Sequence, residues 1–400
     1  MSLVEDGRLS LDAPAGQYLS DLPTIGRIPD SVTVRLLGAH ASGLPAMFRM
    51  FSRDNSIVPP SLSEVLASFG RLAFPPRAIY EYGNLGYAAL GAIAEKLTGL
   101  PFGTVLTRRV LAPMRLEDSF FDTDTARLRT AAARYDELNR RISDYVTATP
   151  PSGEVYASAR DLIRFALFNL GEISSTGAGL NPAALEELHR PVFRGRSGGT
   201  TTFGWFIGET RSGQRVLFKD GGQPGVSAIM CLVPSRQLAA VVLANRTDNG
   251  ALVQDLLDSM FREIIPDWTM PNVIPGGGKT MTTGFSPYLG RWGGRLNSGG
   301  IDLDLTLEIR ETSIMVALEG SSPVSLANLR NDGVAVSGKL PGGPSTARPL
   351  QWASELQLKF VPTAEGLAGR ILAVREVPGE LRSVPGVFTL RREGWGGAAR

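Results

Sequence analysis

The hydrophobic period of this chain changes near residue 270, and one layer type cannot accommodate both parts. Before that point, apolar residues recur every three to four positions in long stretches, with short apolar runs between them, a mixture of helices and strands. After it the helical period is almost gone. IDLDLTLEI, SIMVALE, VAVSG, LQLKFV, GLAGRILAV and GVFTLRR follow at short spacing with polar turns between them, which predicts about seven or eight antiparallel strands. Strands in that number close into a small barrel or sandwich. NVIPGGGKTMTT, between the two regimes, reads as a linker because its Pro and Gly residues break either regular structure. The 400 residues are therefore expected to divide into a mixed unit at 1–268, a linker at 269–284 and an all-β unit at 285–400, an α+β chain.

Within the first unit the element ends are marked. Asn84 stands at a helix N-cap position, LGYAALGAIAEKLTG follows with Leu85, Ala88, Ala89, Ala92 and Ile93 on one face, and Gly99 closes it. Ser158 caps ARDLIRFALFNLG, which ends at Gly171 and carries Asp161 in its first turn, where a carboxylate favours the dipole. FGWFIGE, QRVLFKD, SAIMCLVP and LAAVVLAN read as consecutive strands, and ALVQDLLDSMFREI as the helix that ends the unit. At the start, Gly7 follows Leu3 to Asp6 as a C′ glycine follows a last helical turn. So short a helix does not nucleate alone. The expectation is that its body lies upstream of Met1.

Composition removes several function classes. Formal net charge is +2 and no basic run with interleaved aromatics occurs, so nucleic acid is not an expected partner. Cys231 is the single cysteine and cannot form an internal disulfide or a thiolate cluster. The two histidines, His40 and His189, lie far apart without a ligand pattern, so no metal and no cofactor is expected, and a Ser-His-Asp triad finds no support. There is no G-x-S-x-G elbow, no transmembrane run and no signal peptide in the residues given. A small-molecule or peptide substrate is the expected partner, with homo-oligomers allowed. The compartment stays open.

Two short segments carry chemistry. FPPRAIYEYGNLGYAALG places Tyr82-Gly83-Asn84 at the mouth of a helix, and FKDGGQPGV places Lys219-Asp220-Gly221 before a glycine turn. The chain has five lysines against 36 arginines, so a lysine beside a glycine turn is not the usual surface charge here.

Taken with VEDGRLSLDAPAGQYL, TVRLLGAHASGLP, PSGEVYASARDL and VVLAN, in this order and spacing, these segments resemble the serine β-lactamase and penicillin-binding-protein superfamily. The branch is that of class C β-lactamases, D-alanyl-D-alanine carboxypeptidases and carboxylesterases, and the resemblance covers roughly residues 1 to 265. It implies an antiparallel sheet flanked by helices, with a helical subdomain and a cleft between them. It also implies roles: Tyr82 as proton-transferring tyrosine, Asn84 as the asparagine that hydrogen-bonds the substrate amide and the catalytic lysine, and Lys219-Asp220-Gly221 as the K-T-G equivalent. Gly222 would give one oxyanion N–H. Asp220 departs from the family pattern and would partly neutralise Lys219 or oppose a substrate carboxylate. His40 and Ser42 match a family turn and are read as structural.

The family's S-x-x-K motif is missing from these residues. None of Lys96, Lys219, Lys279, Lys339 or Lys359 has a serine three positions before it. By the resemblance the motif belongs roughly three or four turns upstream of Met1. The chain as given is accordingly expected to be an inactive form of a serine hydrolase acting on esters, D-amino-acid peptides or β-lactams. The alternative is a catalytically dead homologue that binds a ligand or peptide. PYLGRWGGRL and the strands after it resemble a lipocalin-like domain attached to some D-aminopeptidase relatives. Such a domain caps a neighbouring cleft, packs passively, or binds a small apolar ligand.

Overall fold

The computed structural model describes residues 1–20, 28–53, 58–173, 180–195, 199–271, 284–343, 350–377 and 380–393. Most of the expected linker, residues 272–283, lies outside them. A six-stranded antiparallel sheet runs in the order Leu238–Ala244, Val226–Val233, Arg215–Gln223, Phe206–Glu209, Thr200–Thr201 and Phe193–Arg194. On one face Val216, Phe218, Ile229 and Cys231 pack under Val253 and Leu257 of the helix Gly250–Arg262. On the other, Leu217, Met230 and Leu232 pack with Ala166 of the helix Ala159–Asn169. Covering on both faces is why these strands read as continuous apolar runs and do not alternate. Cys231 is fully buried here, and burial pushes its thiol pKa up, as for a structural cysteine.

The helical part centres on the helix Asn84–Thr98, whose Leu85, Ala88, Ala89 and Ile93 share a core with Leu37 and Leu66. Gly86 lets this helix approach closely, since a Cβ there would stand 2.8 Å from the Leu37 carbonyl oxygen. Ser158 caps its helix as expected, accepting from the Asp161 N–H at 3.2 Å. Asp161 does more than favour the dipole: its carboxylate accepts from the Asp118 N–H and the Ser119 hydroxyl, at 2.9 and 2.7 Å.

Asn84 is a correction. The cap residue is Gly83, extended at φ −160° and ψ 133°, and Asn84 is the first residue inside the helix with no capping hydrogen bond. Gly83 takes the cap position because its N–H is already committed to His40, which fixes the chain in the extended form just before the turn begins. Gly7 does follow a helical turn, Ser2–Glu5. It sits at φ +68°, with Gly7 N–H bonded to Val4 and Arg8 N–H to Leu3, each at 3.0 Å, the Schellman pattern.

The second sheet is antiparallel and barrel-like. Its path is Val324–Ser325, Ile314–Leu318, Ile301–Ile309, Gly290–Ser298, Glu380–Arg392, Gly366–Val377, Glu355–Thr363, Val336–Pro341 and Ala327–Asn331. The two end strands are separated in sequence only by Leu326, so the sheet curls back on itself and nearly closes. Its interior is filled by side chains such as Leu305, Leu307, Leu358, Phe360 and Leu390. A void of about 20 Å³ beside Val316, Leu340 and Leu356 is the size of one water. The strand Phe48–Ser52 pairs with Glu380–Arg392 and with Tyr145–Thr147, tying the second sheet to the helical part.

The turn that contains His40 needs one glycine absolutely. Gly43 lies at φ +88°, and a Cβ there would stand 2.0 Å from the Phe74 carbonyl oxygen. Gly7 has the same backbone sign but nothing within 4 Å. Gly7→Ala is expected to cost about 1 kcal/mol, the left-handed penalty alone. Gly43→Ala is expected to cost more than about 2 kcal/mol, because backbone must also move. Urea unfolding of both variants checks the order; equal costs would refute the account.

Candidate active site

The strand Arg215–Gln223 outruns its neighbour. It pairs with Phe206–Glu209 only from Arg215 to Phe218, while on its other side pairing with Val226–Val233 continues to Gln223. From Lys219 onward one backbone edge is therefore unpaired among the described residues. Gly221 and Gly222 lie on this stretch, and neither glycine is explained by packing or by backbone sign. A Cβ at Gly222 would meet nothing within 4 Å, one at Gly221 only Ala228 at 3.9 Å, and neither has positive φ. Side chains are absent where an open edge needs access.

Lys219 opens this edge. Its ammonium nitrogen lies 5.0 Å from the centre of the Tyr82 ring and 4.8 Å from that of Phe206, within cation–π range of both. Burial pulls its pKa down to about 8, and the charge of Asp220 works in the opposite sense. Among the described residues no ion pair joins Lys219 to Asp220.

Tyr82 is held from behind by His40, ring to ring at 4.3 Å and 37°. His40 lies at φ +55° and is buried. Its carbonyl accepts the Glu81 N–H at 3.0 Å and its Nδ1 accepts the Gly83 N–H at 3.3 Å, so two bonds from one residue latch the segment carrying Tyr82. Accepting at Nδ1 puts the proton of the neutral ring on Nε2. Burial, and then the Lys219 charge, hold the His40 pKa well below its ordinary value, so the ring is neutral near pH 7. Tyr87 closes the back of the site, 5.3 Å from the His40 ring, with its hydroxyl donating to the Gly38 carbonyl at 3.1 Å.

Tyr82 itself is 44% exposed, yet burial pushes its hydroxyl up to about 12, with the Asp220 charge adding to the shift. Both hold for a ring lying in a concave wall, open on one side and surrounded by protein on the others. One cation nearby does not offset that desolvation. At neutral pH the pair is a phenol beside an ammonium.

Of the residues singled out in the sequence, the structure brings Tyr82 and Lys219 together, with Gly221 and Gly222 following Lys219 along the open edge. Asn84 is half-buried two residues beyond Tyr82 and makes no side-chain hydrogen bond among the described residues. Sequence reasoning missed Phe206 and gave His40 only a turn. The scarcity of histidine was the signal available for the latter. Among the described residues no His, Cys, Asp or Glu cluster could hold a metal ion, and no helix is long and apolar enough to cross a membrane.

An antiparallel sheet with helices on both faces, a helical part beside it, and a tyrosine facing a strand-borne lysine across the junction define the β-lactamase and penicillin-binding-protein class of fold. Residues 1–261, well over half the chain, match the family described as Beta-lactamase, and the chain belongs to that family. Penicillin-binding protein 4 of Amycolatopsis lactamdurans is 26% identical over 293 residues, covering 68% of this chain and 75% of that protein. A Beta-lactamase of Lysobacter lactamgenus is 27% identical over 256 residues, 60% of this chain and 61% of its own length. Among solved structures, SurE with D-Leu aligns over 96% of this chain and 83% of that one, with a TM-score of 0.60 at 20% identity. A class C β-lactamase from Rhodobacter sphaeroides covers 66% and 81%, at 0.54 and 22% identity. At these identities the structural likeness is one of fold; with SurE it extends through the second sheet.

The shifted lysine gives a direct check. In competitive labelling with acetic anhydride, Lys219 is expected to titrate with a midpoint near pH 8. Between about pH 8 and 10.5 the unfolded chain binds the proton that folded Lys219 has lost, so this group makes stability rise with pH in that window. Lys219→Met should remove that rise in urea midpoints. A labelling midpoint above 10 would contradict the buried ammonium.

Proposed function

We propose that Tyr82, Lys219 and the open edge at Gly221 and Gly222 are the acyl-transfer wall of a β-lactamase-related serine hydrolase. Its substrate is an ester, a D-amino-acid peptide or a β-lactam, processed through a seryl acyl-enzyme. The observation that carries the reading is the 5.0 Å approach of the Lys219 ammonium to the Tyr82 ring, beside a strand edge that has no partner among the described residues. Unpaired backbone N–H groups on such an edge can stabilise a developing oxyanion, and Lys219 supplies positive charge to the proton-transferring phenol. Asn84, free of capping duty, is available to a substrate amide.

The same site argues that these 400 residues do not acylate by themselves. They contain no serine three positions before a lysine, and a tyrosine held near 12 is a poor base without a second cation. Bound without turnover, a peptide or acyl compound in this cleft would make the chain a binding protein, the second reading.

The test is mass spectrometry after exposure to a chromogenic short-chain ester and a chromogenic cephalosporin. The chain as given is expected to gain no acyl mass. A version extended at its start by a helix that carries a Ser-x-x-Lys motif is expected to be acylated, and Tyr82→Phe to slow that by about 100-fold or more. Acylation of the unextended chain, or an extended chain indifferent to Tyr82→Phe and Lys219→Met, would sink the proposal.

A further inference from the structure

Glu81, the residue before Tyr82, points away from the wall just described. It is buried, and its carboxylate bonds both Arg370 and Lys359, the latter at 2.8 Å. Those two cations belong to the second sheet, on the adjacent strands Gly366–Val377 and Glu355–Thr363, and they are directly opposed in the register. Like charges directly opposite on neighbouring strands repel. The arrangement is stable only with a counter-charge between them, and Glu81 is that charge. Arg370 is itself buried, and its guanidinium also donates to the Gln357 carbonyl at 3.1 Å, so the clamp is anchored to the sheet backbone. Burial pushes the Glu81 carboxyl up, but the charges of Arg370 and Lys359 overcome it and leave it below its ordinary value, ionised. Around it Phe74 and Ile79 pack on Ala335 and Val361 of the second sheet, and Lys359 lies 5.9 Å from the Phe74 ring centre.

We infer that Glu81, Arg370 and Lys359 are positioning residues through which the second sheet sets the placement of Tyr82 over Lys219. The segment has two attachments: His40 holds the Glu81 and Gly83 N–H groups from the helical part, and the two cations hold the Glu81 side chain from the opposite side. The barrel-like sheet is in this sense part of the site, although its own interior is filled. The inference rests on the proposed reading of Tyr82 and Lys219, but its test does not require turnover.

The readout is competitive acetic anhydride labelling of the full chain, comparing Lys219 with exposed Lys96 by mass spectrometry. Glu81→Gln leaves two opposed cations without a counter-charge, and Arg370→Met removes the buried anchor. Either is expected to loosen Tyr82 from Lys219, admit water and raise the Lys219 pKa. A rise of one unit lowers labelling of Lys219 at about pH 8 by about fivefold. Lys359→Met, removing the less buried cation, should act in the same direction more weakly, and it carries the test if the other two variants fail to fold. Circular dichroism and the thermal midpoint establish which variants are folded. Folded variants that label Lys219 within about twofold of the parent overturn the positioning role and leave the acyl-transfer reading intact. A parent protein whose Lys219 labels like Lys96 overturns both.

Discussion

Tyr80, Glu81 and Tyr82 alternate across a short non-helical stretch, and much of the architecture follows from that alternation. Tyr80 packs against Phe206 and Tyr82 against His40 and Lys219, while Glu81 between them enters the second sheet. Three consecutive residues therefore touch the six-stranded sheet, the helical part and the barrel-like sheet. The helix that starts at Asn84 then fixes the direction of this stretch, because its first turns pack against Leu37 close to the His40 turn. A shift of the segment in any direction would disturb at least one of these cores, which are packed too closely to deform gradually.

The parts of the fold that were legible in the sequence are those governed by neighbours in the chain. Gly7 and Ser158 mark helix ends because a positive φ or a side-chain cap is a local requirement. The strands around Cys231 were legible as consecutive strands because their apolar runs are short and bounded by turn residues; that both faces are covered is a finding of the structure. The barrel-like sheet was expected as seven or eight strands; among the described residues its main path has nine, with Phe48–Ser52 and Tyr145–Thr147 of the first part attached at its side. Val324–Ser325 is too short and Ala327–Asn331 too polar to register as strands alone; each is held by its partner. Asn84 looked like a cap because it carries a capping side chain. What decided the cap was a hydrogen bond from Gly83 to a residue 43 positions earlier.

The candidate site divides in the same way. Tyr82 and Lys219 stood out because a Tyr-x-Asn triplet before a helix, and a rare lysine before a glycine turn, are local patterns. Glu81 did not, since a glutamate in a loop ordinarily faces water. Its partners lie 278 and 289 residues away, and each is a cation on a strand of the second sheet. A strand's alternation says which residues leave the barrel core, but not whether another surface covers them.

That covering changes the chemistry available to the site. A buried carboxylate flanked by two cations costs desolvation on all three groups, and such clusters are seldom a net source of stability compared with apolar packing. They do fix geometry, because a carboxylate satisfied by two donors at defined directions has little freedom to move. An apolar contact at Glu81 would have joined the two sheets at lower cost and left the neighbouring tyrosine free to slide. The proposed site has the ring of Tyr82 beside an ammonium at cation–π distance, and that attraction weakens once water enters between them. Directional bonding at Glu81 and the latch from His40 supply the rigidity that this single ring contact lacks.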